Sequence, residues 1–219
     1  DDEDVARVRA CAGADLLVAP PIAEPLFYDG EALGEPRAEP DPLAVALGKD
    51  VSGRSRLLHL DELPHVLIAG ATGFVGRFVA EHLVDNDPAT EIWGLVRPGG
   101  LRWLSDSITA VSGDLTDRPS LDEAIQTCRP EVVVHLASAS SVASSWNEPQ
   151  RYVETNLVGS VNLFEGVLAV GRNPKVIIAS SAEVYGAVPN DRQPIAEDTP
   201  LRPLSPYGES KAAVDIAAE

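Results

Sequence analysis

Residues 65–76 read HVLIAGATGFVG, and this stretch decides the fold. Its first five residues form an apolar run of the kind found in strands buried on both faces. Gly70, Gly73 and Gly76 follow at GxxGxxG spacing, and apolar residues then recur at helical intervals from Phe74 to Asn86. At a strand-to-helix turn one glycine permits the tight bend and another lets backbone N–H groups approach a pyrophosphate. A third lets the helix pack close to the strand. The amides around Thr72, Gly73, Phe74 and Val75 open the helix, where orphan donors favour an anion. In this context the turn reads as a nucleotide site; the plain alternative is an incidental glycine turn.

Outward from it, strands alternate with helices. Strands are expected at 91–96, 107–111, 131–136 and 175–179, with helices at 120–128, at 150–170 and from Tyr207 onward. Such alternation implies right-handed βαβ units, and so an α/β, Rossmann-type doubly wound parallel sheet covered by helices on both faces. Residues 65–219 are read as this dinucleotide-binding domain. Residues 1–64 are read as an acidic, proline-rich segment of unassigned role, with prolines at Pro20, Pro21, Pro25, Pro36, Pro40, Pro42 and Pro64. Proline at that density breaks helices and removes ladder donors. Only a short helix at 5–11 and strand-like runs at 16–18 and 57–60 stand out. The segment is either a partly ordered arm, linker or remnant of a preceding domain, or a dimerisation or docking piece.

The chain has 219 residues, with 17 Lys+Arg against 34 Asp+Glu and a formal charge of −17. This acidity argues against nucleic acid as a main partner, because phosphate binding needs clustered Lys and Arg. No apolar run approaches the ~20 residues that span a bilayer, so no membrane partner is expected. The two cysteines, Cys11 and Cys128, sit in no metal-ligand spacing, so no metal site and a reducing, cytoplasmic location are expected. No leader pattern opens the chain and methionine is absent, which reads as a processed or excised segment.

Two further positions bear on a dinucleotide. Arg97 ends the second strand of the domain, where an acidic residue would bind both ribose hydroxyls and an arginine can meet a 2′-phosphate. It tilts the expected cofactor to NADP, with NAD possible if Arg97 is simply solvated. Asp114, followed by Leu115, comes after the third strand; its carboxylate could accept from an adenine amino group or cap the next helix. Tyr207 and Lys211 are at i, i+4 on one helical face. A phenol ordinarily ionises near pH ~10, and a neighbouring ammonium favours the phenolate. A strand-end hydroxyl at Ser180 or Ser181 can hold the oxygen that such a phenol protonates.

Taken together, residues 70–76, 113–115, 135–137, Asn156, 180–186 and 207–211 resemble the extended short-chain dehydrogenase/reductase superfamily of nucleotide-sugar enzymes, from His65 to Glu219. The resemblance implies a catalytic triad of Ser181, Tyr207 and Lys211. It places Leu136, Ala137, Ser138 and Asn156 beside the cofactor, where Tyr207 and Lys211 also touch it. The stretches 140–149, 181–186 and 199–207 are similar to the GDP-mannose dehydratase and GDP-4-keto-6-deoxymannose reductase branch. There Glu183 fills the slot of the base that removes a sugar C5 proton; its other reading is a loop or substrate hydrogen bond.

The implied activity is NADP-dependent reduction of a 4-keto-6-deoxy nucleotide hexose, with a GDP-linked sugar favoured. The alternatives are 4,6-dehydration or 4-epimerisation with recycled cofactor, and a non-catalytic NAD(P)-binding module. A homodimer through the long helix at 150–170 is implied by analogy. Family members continue beyond the point where Glu219 ends this chain, so the C-terminal substrate lobe is expected to be missing and turnover weak. His135 is expected to hydrogen-bond backbone within the core rather than to bind metal.

Overall fold

A computed structural model describes residues 16–19, 44–49, 55–59, 65–86, 89–100, 104–171, 174–196 and 198–218. The strands are β1 (Leu16–Ala19), β2 (Ala44–Lys49), β3 (Ser55–His59), β4 (His65–Ala69), β5 (Glu91–Val96), β6 (Thr109–Ser112), β7 (Val132–His135) and β8 (Lys175–Ala179). The helices are α1 (Phe74–Asn86), α2 (Arg118–Cys128), α3 (Val142–Ser145), α4 (Pro149–Tyr152), α5 (Gly159–Ala169) and α6 (Pro206–Ala218). A π-helical stretch, Val153–Val158, joins α4 to α5.

Six strands form one parallel sheet in the order β1-β8-β7-β4-β5-β6. From β4 the chain builds outward through β5 and β6, then crosses to β7 and β8 on the other side. The reversal lies between β4 and β7, where open α/β sheets leave a crevice beyond the carboxyl ends of their strands. The expected Rossmann-type doubly wound sheet is therefore present, with one more strand than the five read in the domain. That strand, β1, lies parallel to β8 with Ala19 opposite Ala179. Elsewhere β2 and β3 form an antiparallel pair with an irregularity between Ala46 and Gly48.

Side-chain alternation builds the two faces. Leu67, Ala69, Val133, Val176 and Ile178 point into a core with Leu121 and Ile125 of α2, Leu163 and Val167 of α5, and Val214 of α6. Val66, Ile68, Val132, Val134 and Ile177 point the other way, onto Ala80 and Leu83 of α1. A strand interior covered on both faces must be apolar at every position, which is why HVLIA and VVV show no polar alternation.

Several boundaries move. The strand read at 107–111 is Thr109–Ser112, because Ser105–Ile108 forms a turn closed by the Ile108 N–H on the Ser105 carbonyl at 3.0 Å. The helix read at 150–170 is one helical run interrupted by the π stretch. Residues 57–59 of the strand-like run belong to β3, and β2 was not foreseen. The helix read at 5–11, with Cys11, lies outside the described residues.

Candidate active site

The glycine turn sits at the carboxyl end of β4. Gly70 has φ +97°, and a Cβ there would stand 2.8 Å from the Ala137 nitrogen. At Gly76 a Cβ would come within 2.2 Å of the Gly70 carbonyl oxygen, and at Gly73 within 3.1 Å of the same atom. The Gly73 N–H closes the bend on that carbonyl at 2.9 Å. Only bare backbone fits, so the turn brings the opening of α1 close to the tip of β7. Phe74 and Val75, the first two residues of α1, expose their side chains, and Thr72 is half-buried. Leu136, Ala137 and Ser138, all half-buried, line the facing strand tip, and the Leu136 N–H donates to the Ala69 carbonyl at 2.8 Å. A turn whose Gly70 and Gly76 admit no Cβ, at the first amides of a 13-residue helix, fits a pyrophosphate.

Arg97 is exposed and directly follows β5, the strand paired with β4 on the side away from β7. Asp114 follows β6 and its Oδ1 accepts from the Thr116 N–H at 2.9 Å and the Thr116 hydroxyl at 2.8 Å. The helix-cap reading of Asp114 is thereby corrected: the cap position of α2 is Asp117, and the Asp114 carboxylate closes a local turn instead. Leu115 is buried in the core, and its carbonyl accepts from Asn162 Nδ2 at 2.8 Å.

The second group of residues converges on the tip of β8. Lys211 is 6% exposed and its Nζ donates to the Ala179 carbonyl at 2.6 Å. Burial lowers the Lys211 pKa, and the charge of Asp215 opposes that shift. Ser181 caps a short 3₁₀ turn, Ala182–Val184, by accepting from the Glu183 N–H at 3.3 Å. That bond takes a lone pair and leaves the hydroxyl hydrogen for another partner. This turn packs on the first turn of α6: a Cβ at Gly208 would lie 2.8 Å from the Glu183 carbonyl. Ser205 caps α6 by accepting from the Gly208 N–H at 3.1 Å, and its hydroxyl donates to Glu183 Oε2 at 3.4 Å. Glu183 is exposed. The half-buried Tyr207 ring meets Tyr152 edge-on, with centroids 6.3 Å apart. Ser181, Glu183, Tyr207 and Lys211 thus lie on adjoining elements at one end of the sheet. Arg97 and Asp114 lie at the same end across the glycine turn.

Asn156 occupies the π stretch and is buried. Its Oδ1 accepts from the Ala139 N–H at 2.7 Å, while its Nδ2 donates to the Ala139 carbonyl at 3.1 Å and to Ser210 Oγ at 2.9 Å. The side chain joins the loop after β7 to α6. His135 finds a side chain and not the expected backbone group. The Ser160 hydroxyl donates its one hydrogen to the Asn156 carbonyl, so the 2.8 Å contact is His135 Nε2–H donating to Ser160 Oγ. Burial, and secondarily the Lys211 charge, push the His135 pKa down to about 3. Sequence reading missed Ser160, Ser210 and Asp215. For Asp215 the signal was available, since it repeats the four-residue spacing that pairs Tyr207 with Lys211.

Among the described residues, no three His, Cys, Asp or Glu side chains converge as metal ligands, and no helix is long and apolar enough to cross a membrane. Cys128 is buried, and burial pushes its thiol up to about 12.

A family profile described as GDP-mannose 4,6 dehydratase matches residues 67–219. The chain is 35% identical over 164 residues to a probable UDP-glucuronate 4-epimerase of Rhizobium meliloti, covering 69% of this chain and 47% of that protein. It is 31% identical over 166 residues to a dTDP-glucose 4,6-dehydratase of Neisseria gonorrhoeae, covering 69% and 48%. Among solved structures, a UDP-glucose 4-epimerase of Thermus thermophilus in complex with NAD is similar at a TM-score of 0.61 and 31% identity, over 68% of this chain and 48% of that one. The chain spans about half the length of the curated relatives it matches.

Proposed function

This chain belongs to the extended short-chain dehydrogenase/reductase family of nucleotide-sugar epimerases and dehydratases, and we propose that it serves hydride transfer at C4 of a nucleotide-linked hexose. The observation that carries this reading is the buried Lys211 ammonium at the strand tip, one turn along α6 from Tyr207. A nicotinamide dinucleotide, when bound, accepts or returns the hydride. Gly70, Gly73 and Gly76, with the amides of Phe74 and Val75, hold its pyrophosphate, and Leu136–Ser138 flank it. Ser181 holds the C4 oxygen by donating its hydroxyl hydrogen. In the oxidising direction the C4–H bond gives up its electron pair as hydride, and the O–H proton passes to the Tyr207 phenolate. The Lys211 ammonium favours that phenolate. Reduction runs the same steps backwards.

Two outcomes of this step are separable. Net reduction of a 4-keto-6-deoxy sugar consumes NADPH, and Arg97 at the β5 tip supports it as a partner for a 2′-phosphate. Internal return of the hydride gives epimerisation or 4,6-dehydration with the cofactor recycled. The activities named for the relatives support that reading, and for the dehydration Glu183, two residues after Ser181, offers a carboxylate that would take the C5 proton. A GDP-linked hexose is the first substrate to offer, given the matching profile, with UDP- and dTDP-linked hexoses as the other arms.

The test incubates the chain with each nucleotide hexose, or its 4-keto-6-deoxy derivative, and NAD(H) or NADP(H). Product is followed by proton NMR and cofactor oxidation state by absorbance. Stoichiometric NADPH loss supports reduction, and product without net cofactor change supports recycling. Dinucleotide binding without turnover on any sugar would leave a non-catalytic binding module and overturn the enzymatic reading.

A further inference from the structure

Two side chains on one face of α6 grip two successive residues at the end of β8. Lys211 Nζ donates to the Ala179 carbonyl, and one turn later the Asp215 carboxylate accepts from the Ser180 hydroxyl through Oδ2. The next residue is Ser181. The first grip fixes where the strand ends against the helix; the second fixes the direction in which the chain leaves the strand. Ser180 and Asp215 are half-buried, where a hydrogen bond to a carboxylate is stronger than one between neutral groups.

Resting on the hydride-transfer reading above, we propose that Asp215 is a positioning residue of the site: it anchors Ser180, and so the approach of Ser181, while standing one helical turn from the Lys211 ammonium as its counter-charge. One carboxylate then serves both ends of the triad. If α6 shifts on β8, the anchored Ser180 and the Lys211 contact move together, which keeps Ser181 and Tyr207 in register.

The other charged groups around α6 do not supply this field. His135 on β7 is buried and neutral. Glu183 accepts from Ser205, Glu165 of α5 pairs with Arg118, and Arg151 of α4 pairs with Glu148. Glu154 of the π stretch is exposed. Tyr152 and Tyr207 meet edge-on. Asp215 is the carboxylate whose charge favours the Lys211 ammonium against the effect of burial.

The test is carbon-13 NMR on the full chain, titrated without sugar or cofactor, following Lys211 Cε and the Asp215 carboxyl carbon. In the unsubstituted chain the Asp215 resonance should move in step with the Lys211 titration. Asp215→Asn should lower the Lys211 midpoint, Asp215→Glu should restore it, and Ser180→Ala should leave it in place. In turnover assays Ser180→Ala and Asp215→Asn should each lower kcat on the order of tenfold to a hundredfold, as small misplacements of reacting groups do. Only Asp215→Asn should also displace the pH profile. A Lys211 midpoint unchanged by Asp215→Asn, or an Asp215 resonance blind to Lys211, overturns the proposal. The second observation needs no variant to fold. An unsubstituted chain without turnover contradicts the hydride-transfer reading instead, and the NMR arm still decides Asp215.

Discussion

Lys211 Nζ donates to the carbonyl oxygen of Ala179 at 2.6 Å, which ties the helix carrying Tyr207 to the end of the strand that leads to Ser181. An ammonium on a main-chain carbonyl is an expensive way to hold a helix on a sheet, because burial disfavours the charge. Such an arrangement is typical of a site that uses the charge.

Gly76→Ala would set a Cβ 2.2 Å from the Gly70 carbonyl oxygen, which is backbone and must move. The expected cost is about 3 kcal/mol of stability, with dinucleotide binding lost in calorimetric titration. Gly171→Ala is the control. It adds a left-handed penalty at φ +71° that helical Gly76 does not have, but nothing lies within 4 Å of its added Cβ. It should cost roughly 1 kcal/mol and leave binding intact.

His135 makes stability depend on pH. Its folded pKa of about 3 lies below the ordinary 6.5, so the unfolded chain binds the extra proton between those values. Stability from this group is therefore fully present above 6.5 and is lost as pH falls towards 3. Urea unfolding of the parent and of His135→Gln, from about pH 7 down to about pH 4, should show the shallower slope in the variant. Equal slopes would mean that His135 is protonated in the folded core.

Arg97→Ala tests the ribose end. If the guanidinium meets a 2′-phosphate, NADP affinity falls about tenfold while NAD affinity holds, since a hydrogen bond to a charged group is worth roughly 1.5–3 kcal/mol. Equal change for both dinucleotides would assign Arg97 to solvent.

The outer strand β1 offers a parity test. Successive residues of an edge strand direct their N–H groups alternately towards the neighbour and away from it, and proline is tolerated only at the outward ones. Of Leu17→Pro and Val18→Pro, one should therefore destabilise the chain by about 1 kcal/mol or more and the other should be mild, as read by thermal melts. Two indifferent variants would contradict the pairing of β1 with β8.

The legibility of these features follows from their range. HVLIA and GxxGxxG are local: the strand, the turn and α1 need only neighbouring residues, and α1 runs from Phe74 to Asn86 as its spacing implies. The four-residue spacing of Tyr207 and Lys211 is equally local. The π stretch carrying Asn156 is not, because its side-chain bonds go to Ala139 and Ser210, distant in sequence. Nor could spacing reveal that Leu16–Ala19 pairs with Val176–Ala179 across most of the chain. Asp114 shows the opposite limit: its position suited a helix cap, but Asp117 takes that place and the nearby Thr116 holds Oδ1 in a local turn.

The most direct measurement is hydride transfer by Tyr207→Phe compared with the parent, each loaded with nicotinamide dinucleotide and a nucleotide hexose and followed by stopped-flow absorbance of the reduced ring. Removing one hydroxyl should slow transfer by about a hundredfold or more while dinucleotide affinity stays within about twofold. Transfer at the parent's rate in Tyr207→Phe would contradict the role of that phenol, and with it the chemistry assigned to the site.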